Sequence, residues 1–177
     1  INSSDTLYSN YFMQEKLIFA YEEVSLGKKT LIFNAGIETS RRVYESFKKL
    51  KYPIRHLDST FSDKDRKEIL ALFKKTPDAI LTSVCILTTG FDEPTVKTII
   101  INRATRSLTL YHQMIGRGSR KLPNKTLTRM LRLSDPNPSP GLQAQFKRMQ
   151  KDFVLVALKA FVVRSDFVYA CVCFDLS

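Results

Sequence analysis

Cysteine and histidine are both scarce, with three of the first and two of the second in 177 residues. Cys85, Cys171 and Cys173 cannot build a disulfide framework, and they fit a reducing compartment. With only His56 and His112 beside them and no close ligand cluster, no metal site is expected. The same shortage leaves no Ser/His/Asp or Cys/His constellation to recognise, so His112 on a helix and His56 at a strand end are expected to be structural. Long apolar runs are lacking too. The most apolar stretch, residues 153–163, contains Lys159 and continues into Arg164 and Asp166, which argues against a membrane helix. Residues 1–10 have neither the basic start nor the apolar segment of a secretory signal. These absences predict a soluble, cytoplasmic chain with no membrane contact.

What is plentiful is positive charge. There are 28 Lys plus Arg against 17 Asp plus Glu, a formal net charge of +11. A composition 44% hydrophobic and 25% charged is that of a globular chain, not a disordered one. Between Lys97 and Arg132 lie Arg103, Arg106, Arg117, Arg120, Lys121, Lys125 and Arg129, with no acidic residue among them. A one-signed run repels itself unless something negative lies against it. A solvated basic face is the plain alternative; phosphate, in a nucleotide or a nucleic acid, is the partner such a run fits.

Apolar spacing predicts helices over residues 5–25, with Leu7, Tyr11, Ile18 and Tyr21, and over residues 37–51, with Val43, Tyr44, Phe47 and Leu50. Ser62 with Asp65 is an acidic variant of the capping box and opens a helix through Phe73. Ser107 can cap another that runs to about Gly116 or beyond. Short, mainly apolar runs at residues 30–33, 54–57, 79–84 and 96–101 read as buried strands. Strands alternating with helices predict an α/β fold whose mainly parallel sheet is covered on both faces. Ligands of such sheets bind at the carboxyl ends of the strands. Residues 135–141, rich in proline, read as a loop, and residues 142–152 as a helix. Residues 153–174 fit either strand or buried helix.

Several motifs are incomplete. Gly27-Lys28-Lys29-Thr30 resembles the end of a P-loop but has no earlier glycine and precedes its strand. Asp92-Glu93 lacks the apolar strand that leads into a Walker-B pair, and Gly116-Arg117-Gly118 lacks the third glycine of a dinucleotide fingerprint. The informative segment is Gln113-Met114-Ile115-Gly116-Arg117-Gly118-Ser119-Arg120. If a helix persists through it, Gln113, Arg117 and Arg120 fall on one stripe. Guanidinium groups pair bidentately with phosphate, and the two glycines point to close approach by another surface. An exposed basic helix end is the plain alternative.

This segment has the Q-x-x-G-R-x-x-R form of helicase motif VI. Residues 79–94, ending Leu87-Thr88-Thr89-Gly90-Phe91-Asp92-Glu93-Pro94, look like motif V, and Thr30-Leu31-Ile32-Phe33-Asn34 looks like motif IV. The chain thus resembles the second RecA-like, or C-terminal, domain of superfamily 2 helicases over residues 27–126. Residues 103–111 look most like the restriction-type and DNA-repair branch of the DEAD/DEAH-box group. The resemblance implies a RecA-like three-layer sandwich, preceded by a helix in residues 1–26 and followed by an unassigned extension, residues 127–177. It also implies one half of a two-lobed motor. ATP with Mg2+ would lie between this lobe and an N-terminal P-loop lobe of the same parent, which holds most of the Mg2+ contacts.

By the same resemblance Arg120 is the arginine finger, Arg117 a second phosphate contact, and Gln113 a contact to the γ-phosphate or attacking water. Gly90 gives backbone access, and Asp92 binds ribose or links motif V to motif VI. Nucleic acid, DNA before RNA, would meet backbone and side chains near Asn34, Ser83, Thr88 and Thr89, with Arg103 and Arg106 beyond. Lacking Walker A and B, the chain alone is not expected to hydrolyse ATP. Cys85 is expected to be buried packing. The rival reading is a non-catalytic nucleic-acid-binding module that kept the fold; a free-standing nucleotide-binding domain is weakened by the missing phosphate loop.

Overall fold

In the computed structural model, residues 9–84, 91–103, 108–117, 127–133, 161–164 and 167–175 are described. The chain runs α1 (Tyr11–Val24), β1 (Thr30–Asn34), α2 (Ile37–Lys49), β2 (Ile54–Leu57), α3 (Asp63–Lys75), β3 (Ile80–Ser83), β4 (Thr98–Asn102), α4 (Leu108–Gly116), β5 (Leu127–Leu133), β6 (Phe161–Arg164) and β7 (Phe167–Asp175). One sheet holds the strands in the order β2-β3-β1-β4-β5-β7-β6. β1 to β5 are mutually parallel, and β7 and β6 add an antiparallel margin.

Strand residues alternate between two cores, as the two-residue pleat requires. Ile32, Ile54, Ile80 and Ile100 face α1 and α2, where they meet Met13, Leu17, Ala20, Tyr21, Val43 and Phe47. Leu31, Phe33, Leu57, Leu81, Ile99 and Ile101 face the other side, against Phe73 of α3, Met114 of α4, Phe91 and Val96. Helices on both faces of a mainly parallel sheet make the expected three-layer α/β sandwich.

Some expectations change in detail. The buried stripe of α1 is Met13, Leu17, Ala20 and Tyr21, while Tyr11 is 77% exposed at the first turn. Leu50 is also outside the core, 49% exposed, because α2 ends at Lys49. The Lys51 and Tyr52 amides donate back to Lys48 O and Phe47 O, and Lys51 takes φ 62°, so the chain turns away before Leu50 can pack. β4 begins at Thr98, two residues after the apolar run starts, because Val96 belongs to the core beneath the preceding turn.

The region after residue 126 contributes to the same sheet. β5 pairs with β4 from Thr98↔Arg129 to Ile101↔Arg132 despite its basic residues. The apolar stretch that fitted either strand or helix contains β6 and β7, with β7 antiparallel to β5. Leu7, the Ser107 cap, the loop at 135–141 and the helix at 142–152 lie outside the described residues. Among those described, no helix is long and apolar enough to cross a membrane.

Candidate nucleotide and nucleic-acid interface

Two groups of residues make up the candidate site. The first is the end of α4. Gln113 is exposed on this helix, and Arg117 lies one residue past it, half-buried. The helix stops before Arg117, and Arg120, the third member of the expected stripe, lies outside the described residues. The Arg117 amide closes a tight turn on Met114 O at 3.3 Å, and its Nη1 donates to Phe91 O at 2.8 Å. Phe91 is anchored below, its ring 6.1 Å from that of Phe73. Asp92 follows, exposed. One contact between the segment that begins at Phe91 and the end of α4 is thus made by the carbonyl of Phe91.

Gly116 ends α4, and a Cβ added there would meet nothing within 4 Å. The close approach expected at this glycine is therefore not made by any described part of this chain. Behind the segment, Glu93 is buried 3.7 Å from Lys29 Nζ, and it accepts from the Thr95 amide at 3.2 Å and from the Thr95 hydroxyl. Lys29 also donates to Lys74 O at 2.7 Å. Burial pushes the Lys29 ammonium below its ordinary value, and the Glu93 carboxylate opposes that. This pin holds residues 93–95 against the base of β1.

The second group lies at the strand ends. Asn34 is fully buried, and its Nδ2 donates to Thr82 Oγ1 at 2.7 Å and to Ser83 O at 3.3 Å. Its Oδ1 accepts from Asn102 Nδ2 at 2.9 Å. Both amide hydrogens are committed within the chain, so any contact of Asn34 with nucleic acid falls to its backbone. Ser83 is buried, and its Oγ has no hydrogen-bond partner among the described residues. Arg103 follows β4, half-buried. Gly90, Thr88, Thr89 and Arg106, like Cys85, lie outside the described residues.

The sequence did not disclose how Ser40, His56 and Asp58 come together. Ser40 Oγ lies 2.9 Å from His56 Nδ1, and His56 Nε2 lies 2.9 Å from Asp58 Oδ2. Burial alone would raise the Asp58 carboxyl, but the Thr60 hydroxyl and amide, together with His56, hold it at about 2. This is not a nucleophile with its base, because Ser40 is fully buried and its oxygen also meets Thr82 Oγ1 at 3.1 Å. No group of three or more His, Cys, Asp or Glu among the described residues could hold a metal ion. The one available signal was the run of polar side chains at the ends of otherwise apolar strands.

The model of the helicase conserved C-terminal domain matches residues 12–121. The chain belongs to that family. It is 35% identical over 111 residues to a putative mitochondrial ATP-dependent helicase, irc3, of Schizosaccharomyces pombe, covering 60% of this chain and 18% of the relative. It is 32% identical over 121 residues to the type I restriction enzyme EcoKI endonuclease subunit of Escherichia coli, covering 60% of this chain and 10% of the relative. The chain thus spans less than a fifth of either curated relative. Among solved structures, S. cerevisiae Dbp5 bound to RNA and ADP BeF3 superposes with TM-score 0.65 at 16% identity, over 82% of this chain and 38% of that one. At that identity the likeness concerns the fold, which is RecA-like.

Proposed function

We propose that this chain is the second RecA-like lobe of an ATP-dependent helicase or translocase, acting with a P-loop lobe of the same parent. The observation that carries the reading is the Arg117–Phe91 clasp at 2.8 Å. It joins the motif V and motif VI segments beside exposed Gln113 and the open face of Gly116, in a chain with no P-loop of its own.

In this reading ATP is the substrate, and its Mg2+ is held by the other lobe. Arg120 reaches the γ-phosphate as charge builds in the transition state, with Arg117 as a second contact and Gln113 at the γ-phosphate or the attacking water. An arginine in that role is worth about 10³–10⁵ in rate. Gly90 and Asp92 border the nucleotide. Nucleic acid lies across the strand ends near Asn34, Ser83, Thr88 and Thr89, and towards Arg103 and Arg106. Contacts to the sugar-phosphate backbone read no sequence. DNA is the favoured polymer, because residues 103–111 resemble the restriction-type branch and EcoKI is among the relatives.

The test compares DNA- and RNA-stimulated ATPase of the full-length gene product with that of Arg120→Ala. The expected outcome is a loss of roughly a hundredfold or more with ATP still bound, and stronger stimulation by DNA. Undiminished activity in Arg120→Ala, or no ATPase in the wild type, leaves the non-catalytic binding module as the reading. Stronger stimulation by RNA reassigns the polymer alone.

A further inference from the structure

Six side chains form one line of hydrogen bonds across the carboxyl edge of the sheet: Asn102 at the end of β4, Asn34 of β1, Thr82 of β3, Ser40 of α2, His56 of β2, and Asp58 just beyond it. Successive separations are 2.9, 2.7, 3.1, 2.9 and 2.9 Å. Asn102, Asn34, Thr82 and Ser40 are fully buried and Asp58 is 2% exposed. Only His56, partly buried, gives the line any exposure to water.

The chemistry of its two ends sets its direction. Asp58, held as a carboxylate, only accepts, so His56 Nε2 carries a hydrogen and donates to it. In the neutral imidazole Nδ1 is then an acceptor, and the hydrogen between it and Ser40 belongs to Ser40. Ser40 Oγ, having donated, accepts from Thr82, and Thr82 Oγ1 in turn accepts from Asn34. With His56 neutral, every bond points from Asn102 towards Asp58, an arrangement in which each donor polarises the next. The anchored end also carries the Thr60 amide and hydroxyl, with Arg41 Nη2 at 3.6 Å from Asp58 Oδ2. At the other end Asn34 also grips Ser83 O, the residue whose hydroxyl has no partner among the described residues.

We infer that Thr82, Ser40 and His56 are positioning residues for the nucleic-acid edge. They fix the plane of the Asn34 amide, which sets the spacing of β1, β3 and β4 at the edge along which the nucleic-acid backbone is proposed to lie. The inference rests on the proposed nucleic-acid reading. None of the three needs to touch the ligand.

The experiment uses the full-length gene product and a labelled DNA oligonucleotide. Thr82→Val, which keeps the shape of the side chain, and Ser40→Ala are each expected to raise the KM for DNA in stimulated ATPase by roughly threefold to tenfold. The kcat at saturating DNA stays within about twofold of wild type, since no group at ATP is lost. The double variant matches the weaker single variant, because both cut one line. His56→Asn places an oxygen near the position of Nδ1 and keeps an acceptor for Ser40, whereas His56→Gln supplies the donor to Asp58 instead. His56→Asn is therefore expected to hold its KM closer to wild type than His56→Gln.

Wild-type KM values in Thr82→Val and Ser40→Ala, or equal losses in both His56 variants that track only their thermal unfolding, overturn the inference. If Ser40→Ala does not fold, Thr82→Val decides. If the wild-type protein shows no DNA-stimulated ATPase, the motor reading fails by itself and fluorescence anisotropy takes over. A Kd for DNA equal in wild type and Thr82→Val, or no binding by either, then overturns the inference as well.

Discussion

At the scale of single residues, two buried ionic groups hold this lobe. Lys29 is 3% exposed, 5.4 Å above the centre of the Phe73 ring, and its nearest opposite charge is Glu93. Lys29→Met leaves that carboxylate buried without its cation, and is expected to cost about 3–5 kcal/mol in equilibrium urea unfolding. Adding Glu93→Gln, which keeps an acceptor for Thr95, is expected to recover more than half of the loss. Asp58 makes a prediction about acid. Its folded-state pKa of about 2 lies below its ordinary 3.8, so its contribution is fully present above about pH 4 and is lost as pH falls towards 2. That contribution is roughly 2 kcal/mol. Unfolding free energy measured against pH should decline in this window, and decline less steeply in Asp58→Asn. Neither group was evident in the sequence, because Lys29 and Asp58 read as ordinary charges until strand pairing shows them enclosed.

At the scale of elements, the start of α3 follows a local rule and was readable. Ser62 Oγ accepts from the Asp65 amide at 3.2 Å and donates to the Asp65 carboxylate at 2.7 Å, the reciprocal cap expected from the spacing. Ser62→Ala is expected to cost about 1 kcal/mol in urea unfolding. The end of α2 is different, because a lysine occupies the left-handed position that glycine favours. The bonds from Lys51 to Lys48 and from Tyr52 to Phe47 make a Schellman motif, closed by the Tyr52 and Phe47 rings at 5.7 Å. Lys51→Gly relieves the φ of 62° and is expected to raise stability by about 1 kcal/mol. Gly116→Ala is expected to leave this lobe as stable or up to about 1 kcal/mol more so. In the proposed two-lobed motor the same change is expected to depress ATPase, because the partner lobe would approach across the space left open in front of Gly116.

At the scale of the whole molecule, the decisive fact is the strand order β2-β3-β1-β4. β1 lies between β3 and β4, so the loop after β1 meets the ends of both neighbours. That is where an open parallel sheet places its ligands. Arg117, just past α4, is tied to the segment that precedes β4 through the Phe91 carbonyl. In the proposed reading, the expected hundredfold loss in Arg120→Ala is a property of two lobes together. The sheet also continues through β5 and the β7–β6 pair, so its extent was legible only in part. Arg129 and Arg132 hid β5, since a strand paired with a neighbour on each side need not be apolar throughout.

The amino-acid sequence alone determined the alternation of strands and helices, the Ser62 cap, the family and the missing phosphate loop. Each is local, settled by the spacing of apolar residues or by a short motif whose members lie within about one helical turn to a few turns of each other. The tertiary structure alone decided that Asn34 spends its amide hydrogens inside the chain, that Ser40 meets a histidine 16 residues away, and that Lys29 lies beside Glu93. Such pairings depend on which strands become neighbours. Burial then requires each enclosed polar group to find a partner among whatever the fold has brought near.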